Sequence, residues 1–428
     1  MTADPAAMAA AAPPMAAPER PRFGLRGALL LLLVIALAGP VVVVNVSDYF
    51  AQEQTPAGAR QALAWNEGNP AARTALALEA VPGESGAATL ARLRSAAAVQ
   101  PTEGRLYAAL ALHAEAQGAP ALAQGAMQAA ATLAPQRTDV SLAALSFWLR
   151  QDDVMRALQA GSVALTRSPE LAPKLYPVFL QLMASPQSDA AFRAVLANPL
   201  PWWPGFFSYV AQRAPNAEVL RVLHSLQIAG PNAFEEPQLR VYLERLFHDG
   251  NWLEAYFVWL DSLPPASAGF SSELYNGGFE EPTRNLGFEW TDQPLKGVLV
   301  GFDPTYGTTG SRALHVVFQG LPARWRHFNQ YLMLAPGDYH LRGRARVDSL
   351  QAERGVQWNI RCIGDNEPLA VTDRFKGTEP WRHFSVSFTV PARGCASQDL
   401  RLSLVGNAQL DFVANGQIWF DDLAVVRQ

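Results

Sequence analysis

The chain has 428 residues, of which 49% are hydrophobic and 17% charged, and its formal net charge is −4. This length is enough for at least two domains with buried cores. The slightly acidic balance excludes a generally basic chain of the kind that binds nucleic acid through its phosphates. Residues 1–26 are rich in Ala and Pro, which predicts a disordered tail.

An uncharged apolar run, Gly27–Val46, follows this tail. A helix of these 20 residues would span the roughly 30 Å hydrocarbon core of a bilayer. Basic residues precede the run and acidic residues come first after it, at Arg20, Arg22, Arg26, Asp48 and Glu53. This asymmetry predicts a single-pass anchor with a cytoplasmic N-terminus. The rest of the chain would then be periplasmic, tethered to a bacterial inner membrane.

The same run has an alternative interpretation as a signal peptide. The small residues of Ala36–Ala38 resemble a cleavage site, which would give a mature chain that begins near Gly39. The apolar residues continue through Val41–Val44, however, and the segment before the run is long for a signal peptide. We therefore favour an uncleaved transmembrane helix over 27–46, in which Pro40 would be tolerated as a kink.

Residues 50–264 are rich in Ala and Leu and contain a repeat. Three prolines are spaced 34 residues apart, at Pro101, Pro135 and Pro169. The same offset relates Gly118 to Asp152. A 34-residue period with small residues at helix contacts resembles the tetratricopeptide repeat, a pair of antiparallel helices. The resemblance implies an α-solenoid in which Gly118 and Ala126 lie where helices approach closely.

A single helix pair cannot bury its apolar face alone, so the pairs are expected to stack into a curved solenoid. The extended concave surface of such a solenoid would bind a protein segment. The alternative is a spacer that merely holds the C-terminal part of the chain away from the membrane. The sequence favours neither of the two.

The composition changes near Pro264–Gly269, where a stretch of Pro, Ala, Ser and Gly predicts a domain boundary. From residue 270 to 428, apolar and polar residues alternate in short runs, which is typical of half-buried strands. The clearest runs are His340–Val347, Val356–Cys362, Phe384–Val390 and Leu400–Leu404. They predict an antiparallel β-sandwich. The expected fold class is therefore a multidomain α + β protein.

Five segments of the C-terminal half occur in an order that matches a known family. They are NGGFEEP at Asn276–Pro282, GTTGSRALHV at Gly307–Val316, LAPGDYHLRGRARV at Leu334–Val347, WRHFSVSFTVP at Trp381–Pro391 and IWFDDLAV at Ile418–Val425. Together they resemble the galactose-binding-like jelly rolls that include many carbohydrate-binding modules. The resemblance implies a structural calcium held by Glu280 and Asp421, with Asp422 as a further ligand. The alternative is that these acids are solvated turn residues.

Carbohydrate-binding modules present exposed aromatic side chains as flat platforms for sugar rings. Trp290, Phe302 and Tyr306 lie in stretches that resemble loops, so they are the candidates for exposure. Trp358 shares the phase of the apolar residues on its strand and is expected in the core. Trp381 precedes an alternating strand and is also expected to pack.

The polar face of the sandwich is rich in arginine. Arg342, Arg344 and Arg346 project from one face of a strand. If the neighbouring runs belong to the same sheet, they are joined by Gln357, Asn359, Arg361 and Arg401. Guanidinium groups match carboxylates and phosphates, so this face is a candidate site for an acidic polysaccharide. The alternative is a solvated face whose arginines pair with nearby acids.

The chain has two cysteines, Cys362 and Cys395, and both lie in its last fifth. In an oxidising compartment such a pair favours a disulfide over a metal or redox site. The bridge would brace the sandwich, because Cys362 ends an alternating strand on its core face. The alternative is two unpaired, partly buried thiols.

No motif indicates catalysis. Adjacent acids such as Glu280 and Glu281 diverge on a strand and do not form an acid/base pair, and the seven histidines show no metal-ligand spacing. The chain resembles accessory proteins of bacterial exopolysaccharide systems, which implies a non-catalytic scaffold that binds polysaccharide or envelope-assembly proteins. The alternative is a purely protein-binding envelope scaffold whose sandwich no longer binds sugar.

Overall fold

A computed structural model describes residues 25–53, 55–231, 234–265 and 273–428. In these ranges, helices are followed by two antiparallel sheets, so the predicted order of helices and sandwich is confirmed. The chain divides into two compact units, one that ends at Ser168 and one from Pro169 to Gln428. The predicted tail, 1–26, and the predicted boundary, Pro264–Gly269, lie mostly outside the described residues.

The first unit is helical throughout its described part. Its helices are α1 (Leu25–Gln52), α2 (Pro56–Trp65), α3 (Pro70–Leu78), α4 (Gly86–Val99), α5 (Gly104–Ala116), α6 (Pro120–Leu133), α7 (Thr138–Arg150) and α8 (Val154–Arg167). Helix α1 includes a 21-residue stretch, Leu32–Gln52, that is long and apolar enough to cross a membrane. The Ser47 hydroxyl near its end donates a hydrogen bond to the carbonyl of Ala62 at 2.8 Å, which joins α1 to α2.

The helix pairs α5–α6 and α7–α8 repeat with the predicted period, because α7 begins 34 residues after α5 and α8 begins 34 residues after α6. Ala126 is buried in α6, as predicted. The prediction for Gly118 is wrong, since no atom lies within 4 Å of the place where its Cβ would be. Gly118 has a φ of 70° and its equivalent Asp152 has a φ of 55°. Both positions therefore form the left-handed turn that ends the first helix of each pair.

We expect Ala126→Phe to lower the free energy of unfolding by about 1–3 kcal/mol, because the larger ring overpacks a buried helix contact. Urea unfolding followed by circular dichroism would measure the change. Gln124→Phe, on the exposed side of the same helix, is the matched control. Equal stability of the two variants would show that Ala126 does not lie at a close contact.

The second unit begins with helices and ends with the sandwich. Its helices are α9 (Ala172–Met183), α10 (Asp189–Val195), α11 (Trp203–Arg213), α12 (Ala217–Ala229), α13 (Glu236–His248) and α14 (Trp252–Asp261). Its strands are β1 (Thr291–Asp292), β2 (Val298–Pro304), β3 (Arg312–Pro322), β4 (Phe328–Leu332), β5 (Gly337–Ala352), β6 (Val356–Cys362), β7 (Ala370–Val371), β8 (Gly377–Val390), β9 (Gln398–Leu404) and β10 (Val413–Arg427).

The strands form two five-stranded sheets with the orders β1-β4-β9-β6-β7 and β2-β3-β10-β5-β8. We call them the first and the second sheet. The four alternating runs found in the sequence lie within β5, β6, β8 and β9, and their apolar positions face the core. Large side chains fill the space between the sheets, including Trp290, Trp325, Trp358, Phe328 and Phe420. The predicted disulfide is confirmed, since Cys362 at the end of β6 is bonded to Cys395.

Helices α13 and α14 pack on the outer face of the first sheet. The ring of Tyr331 on β4 lies 5.4 Å from the ring of Phe247 and 5.3 Å from that of Trp252. The ring of Trp259 lies 5.4 Å from that of Tyr275. These contacts join the last helices to the sandwich, and they explain why the compact unit begins well before the change of composition near residue 264.

Candidate functional site

A row of side chains crosses the outer face of the second sheet. Trp419 on β10 lies directly opposite His315 on β3 and directly opposite Arg346 on β5. Directly opposed side chains of antiparallel strands are close enough to touch. The His315 ring accordingly stacks on the Trp419 ring with 4.4 Å between centroids, and the Arg346 guanidinium carbon lies 3.8 Å from the Trp419 centroid.

Arg346 is a buried cation, only 6% exposed. Its guanidinium carbon also lies 4.2 Å from the Tyr306 centroid and 5.7 Å from that of Trp381. Its Nη2 donates a hydrogen bond to Thr305 Oγ1 at 2.9 Å, whereas its Nε is buried without a partner among the described residues. Burial of a charge is costly, and the surrounding rings offset part of that cost through cation–π attraction.

Tyr306 and Trp381 form the open end of this row. Tyr306 is 74% exposed, and Trp381 is half-buried. The indole N–H of Trp381 donates to the Tyr306 carbonyl at 2.8 Å. A Cβ at Gly307 would lie 2.8 Å from the Trp381 ring, and Gly307 has a φ of 77°, so this close approach requires glycine. The loop thus holds two aromatic side chains together where solvent reaches them.

The three arginines of β5 have different surroundings. Arg344 is neutralised, because its Nη2 donates to Asp421 Oδ2 at 2.9 Å and its Nε donates to Asp422 Oδ2 at 2.7 Å. Arg342 is exposed and lines an open cavity of about 570 Å³ together with His383. Arg346 lies among aromatic rings, as described above. Of these three arginines, only Arg344 forms ion pairs with carboxylates of the residues that the structure describes.

The acids that the family resemblance assigns to calcium hold a loop. Glu280 Oε1 accepts hydrogen bonds from the backbone N–H of Ser311 at 2.8 Å and of Arg312 at 3.0 Å. Asp421 Oδ2 accepts one from the backbone N–H of Thr309 at 3.0 Å, besides its bond from Arg344. Carboxylates that already face N–H donors and a guanidinium do not fit Ca²⁺, which needs six to eight free oxygen ligands. We therefore assign no calcium here.

The hydrogen bonds that Glu280 accepts from the loop predict that the stability of the fold depends on pH. Burial alone would raise the pKa of Glu280, but hydrogen bonds from Ser311 and from the N–H of Arg312 hold that pKa below its ordinary value of 4.5. A carboxyl with a lowered folded pKa adds stability that is complete above about pH 4.5 and is lost as the pH falls through the folded pKa. The free energy of unfolding, measured in urea, should therefore fall less steeply with acidification in Glu280→Gln than in the wild type.

Glu281→Gln is the matched control for this experiment, since it removes the neighbouring carboxyl group. Its pH profile should follow that of the wild type. The same acid dependence in Glu280→Gln and in the wild type would contradict the assigned role of Glu280.

The exposure predicted for the aromatic residues agrees with the structure at some positions and differs at others. Trp290 is 0% exposed and stacks on Phe328 in the core, so the expectation that it is exposed is wrong. Phe302 is half-buried against the core. Tyr306 is exposed and Trp358 is in the core, as predicted. Trp381, which was expected to pack, keeps part of its ring accessible.

The predicted arginine face is divided between two sheets. Gln357, Asn359 and Arg361 lie on β6 and Arg401 lies on β9, both in the first sheet, so they do not join the arginines of β5. The buried Asp399 accepts hydrogen bonds from Arg361 at 2.9 Å and from Arg401 at 2.8 Å. On this face the alternative prediction, arginines paired with nearby acids, fits the structure.

Sequence reasoning did not find Trp419 or His315. The signal for Trp419 is present, because it lies between Ile418 and Phe420, which both face the core. Strand alternation therefore directs Trp419 outward. No comparable signal marks His315, whose role depends on the register between β3 and β10.

In comparisons with known proteins, no family model matches this chain, and no curated protein matches it significantly. A solved structure described as "CBM4 structure and function" covers 36% of this chain and 99% of its own at 20% identity, with a TM-score of 0.28. The CBM22-1 xylan-binding domain from Paenibacillus barcinonensis Xyn10C covers 35% and 90% at 16% identity, with a TM-score of 0.25.

A Stig cyclase from Fischerella sp. TAU covers 35% of this chain and 93% of its own at 14% identity, with a TM-score of 0.24. At these identities and TM-scores, the likeness concerns the fold of about a third of the chain and nothing more.

Proposed function

We propose that this chain is a non-catalytic, membrane-anchored protein that binds polysaccharide on the outer face of the second sheet. The observation that carries the proposal is the pair formed by the exposed Tyr306 and the half-buried Trp381 beside Arg344 and Arg346. Aromatic rings offer a rigid apolar surface to the C–H face of a sugar, while the charged groups beside them bind its oxygens.

The two outer faces of the sandwich differ in how much surface they leave open to a ligand. The outer face of the first sheet receives α13 and α14 around Tyr331, and its buried Asp399 already binds arginines. The outer face of the second sheet keeps exposed side chains, including Tyr306 and Arg342. A ligand would therefore bind to the second sheet.

The setting that we propose is the assembly or export of an envelope or extracellular polysaccharide. An apolar helix α1 and a disulfide between Cys362 and Cys395 support a chain anchored in a bacterial inner membrane with its bulk in the oxidising periplasm. The repeated helix pairs α5–α6 and α7–α8 would hold the binding face away from the membrane or recruit a protein.

The topology predicts a specific protease result. In spheroplasts treated with protease, the sandwich should be digested while a tag on the N-terminus should be protected. Western blots against both ends would measure this. A protected sandwich with a digested tag would contradict the orientation, and a mature chain that begins near Gly39 would show a cleaved signal peptide.

Affinity electrophoresis tests the binding function directly. The full chain in detergent would be run through native gels that contain single polysaccharides, among them the envelope polysaccharide of the source bacterium. We expect at least one polymer to retard the protein relative to a gel without polymer. Unchanged mobility with every polymer would overturn the proposed function.

A groove in the first unit favours a second function, which is protein binding. It has a volume of about 300 Å³ between α6, α7 and α8, and small or apolar residues such as Ala131, Ala144 and Val163 line it together with Trp148. Co-purification of one partner with the wild type but not with Val163→Asp, with no retardation by polysaccharide, would favour this function over the first.

A further inference from the structure

We propose that the polysaccharide bound by the second sheet is anionic, and that Arg342 and Arg346 receive its negatively charged groups. This inference rests on the proposed function and names the chemical class of its ligand. The relevant chemistry is that of a carboxylate, sulfate or phosphate on a sugar, since a guanidinium group binds each of them through paired N–H donors.

The first support is the distribution of carboxylates around the arginines of β5. Arg344 has two, Asp421 and Asp422. Neither Arg342 nor Arg346 forms an ion pair within 4.0 Å in the part of the chain that the structure describes. The positive charge on this face is therefore unbalanced at two positions of one strand.

The second support is the state of Arg346. Its side chain is buried, its Nε has no hydrogen-bond partner among the described residues, and the one hydrogen bond that it donates goes to a neutral hydroxyl, Thr305 Oγ1. A buried charge without a counter-ion is unfavourable. The exposed ring of Tyr306 lies over this guanidinium, so a sugar stacked near Tyr306 would bring an anionic substituent close to it.

The third support is the position of Arg342. It is exposed, and it lines the cavity of about 570 Å³ together with the exposed His383 and with Asp422, whose carboxylate is paired with Arg344. Arg342 and Arg346 are four residues apart on β5, which is roughly 13 Å along a strand. Both point outward, because alternate residues of a strand share a face. Two cations at this spacing suit a polymer with repeated charges.

Paired polymers that differ only in charge test this inference. The full chain in detergent would be titrated with polygalacturonate and with its fully methyl-esterified, neutral form, and likewise with dextran sulfate and dextran. We expect one acidic member to bind at least about tenfold more tightly than its neutral counterpart at low salt. The pair that shows the difference distinguishes carboxylate from sulfate recognition.

Charge-removing variants make the test specific to this face. Arg342→Gln, at an exposed side chain, should weaken the binding of the acidic polymer about three- to tenfold more than it weakens the binding of its neutral counterpart. Arg374→Gln, which removes the same charge from an exposed residue after β7, is the matched control and should have no effect. Arg346→Lys keeps the charge but loses the paired N–H donors of the guanidinium group, and it should also weaken the binding of the acidic polymer.

Each outcome separates this inference from the proposed function. Equal binding of acidic and neutral polymers, unaffected by Arg342→Gln, would overturn the inference and leave polysaccharide binding in place. If Arg342→Gln and Arg374→Gln weakened the binding of the acidic polymer equally, the cause would be general charge attraction, and the inference would also be overturned. Binding of no polymer at all would overturn the proposed function as well.

Discussion

Replacing Tyr306 and Trp381 together with alanine is expected to weaken polysaccharide binding at least about tenfold, which corresponds to roughly 1.4 kcal/mol or more. The two rings are the aromatic surfaces that solvent reaches at the end of the row formed with Arg346 and Trp419. Their loss would remove the apolar platform and would open the contact over the Arg346 guanidinium. Affinity electrophoresis of the full chain would measure the change in dissociation constant.

Leu299→Ala is the matched control for the aromatic variant. Leu299 is a large, exposed apolar residue on β2, in the same sheet, and we place it outside the site. The control should bind like the wild type, and circular dichroism should show that the double variant remains folded. Unchanged binding by a folded Tyr306→Ala/Trp381→Ala variant would contradict the assignment of the site.

Removal of the disulfide is expected to have the largest effect on stability. Cys362 and Cys395 are 33 residues apart in sequence, and the chain-entropy estimate for a loop of this length is roughly 3–4 kcal/mol. Cys362→Ala/Cys395→Ala should lower the free energy of unfolding of the second unit by about that amount. Urea unfolding followed by tryptophan fluorescence would measure it.

Reduced wild-type protein is the control that separates the bridge from the change of side chain. It should lose nearly as much stability as the double variant, because both lack the cross-link. A loss below about 1 kcal/mol in both samples would show that the unfolded chain gains little freedom when the bridge is absent.

Local periodicities explain why much of the fold could be predicted. A period of two placed Trp358 in the core and found the strands β5, β6, β8 and β9, because alternation depends on the backbone of one strand alone. The 34-residue period found the pairs α5–α6 and α7–α8 for a similar reason, since each repeat is one local helix pair.

The partners of individual charges could not be predicted in this way. Alternation gives the face of a residue on its own strand but not the sheet to which the strand belongs, so Arg361 was grouped with Arg344 although β6 and β5 lie in different sheets. The neutralisation of Arg344 by Asp421 and Asp422 depends on the register of β5 with β10. That register connects residues more than seventy positions apart in the sequence.

Two tryptophans were difficult to predict for a different reason. Trp290 lies in a stretch without clear alternation, yet its indole N–H donates to the Asn276 carbonyl at 3.0 Å and its ring is in the core. Trp381 is only partly covered, by the loop that rests against its ring at Gly307. Both positions are fixed by contacts between distant segments, which a local pattern does not contain.

The arginine between Asp421 and Asp422 is also the reason why these two carboxylates do not fit the calcium that the family resemblance implies. Arg344 supplies a positive charge to both carboxylates and donates to the Gly307 carbonyl at 3.0 Å. It thereby ties β10 to the loop that carries Tyr306. A side chain of β5 thus holds these segments together by charge-assisted hydrogen bonds.

Hydroxyl-radical footprinting of the full chain, with and without a polysaccharide that retards it, tests the central claim most directly. The bound polymer should lower the oxidation rates of Tyr306 and Trp381, while Trp65, an exposed ring in the first unit, should react as before. Unchanged oxidation of Tyr306 and Trp381 together with protection elsewhere, for example around Trp148 in the groove of the first unit, would contradict a polysaccharide site on the second sheet.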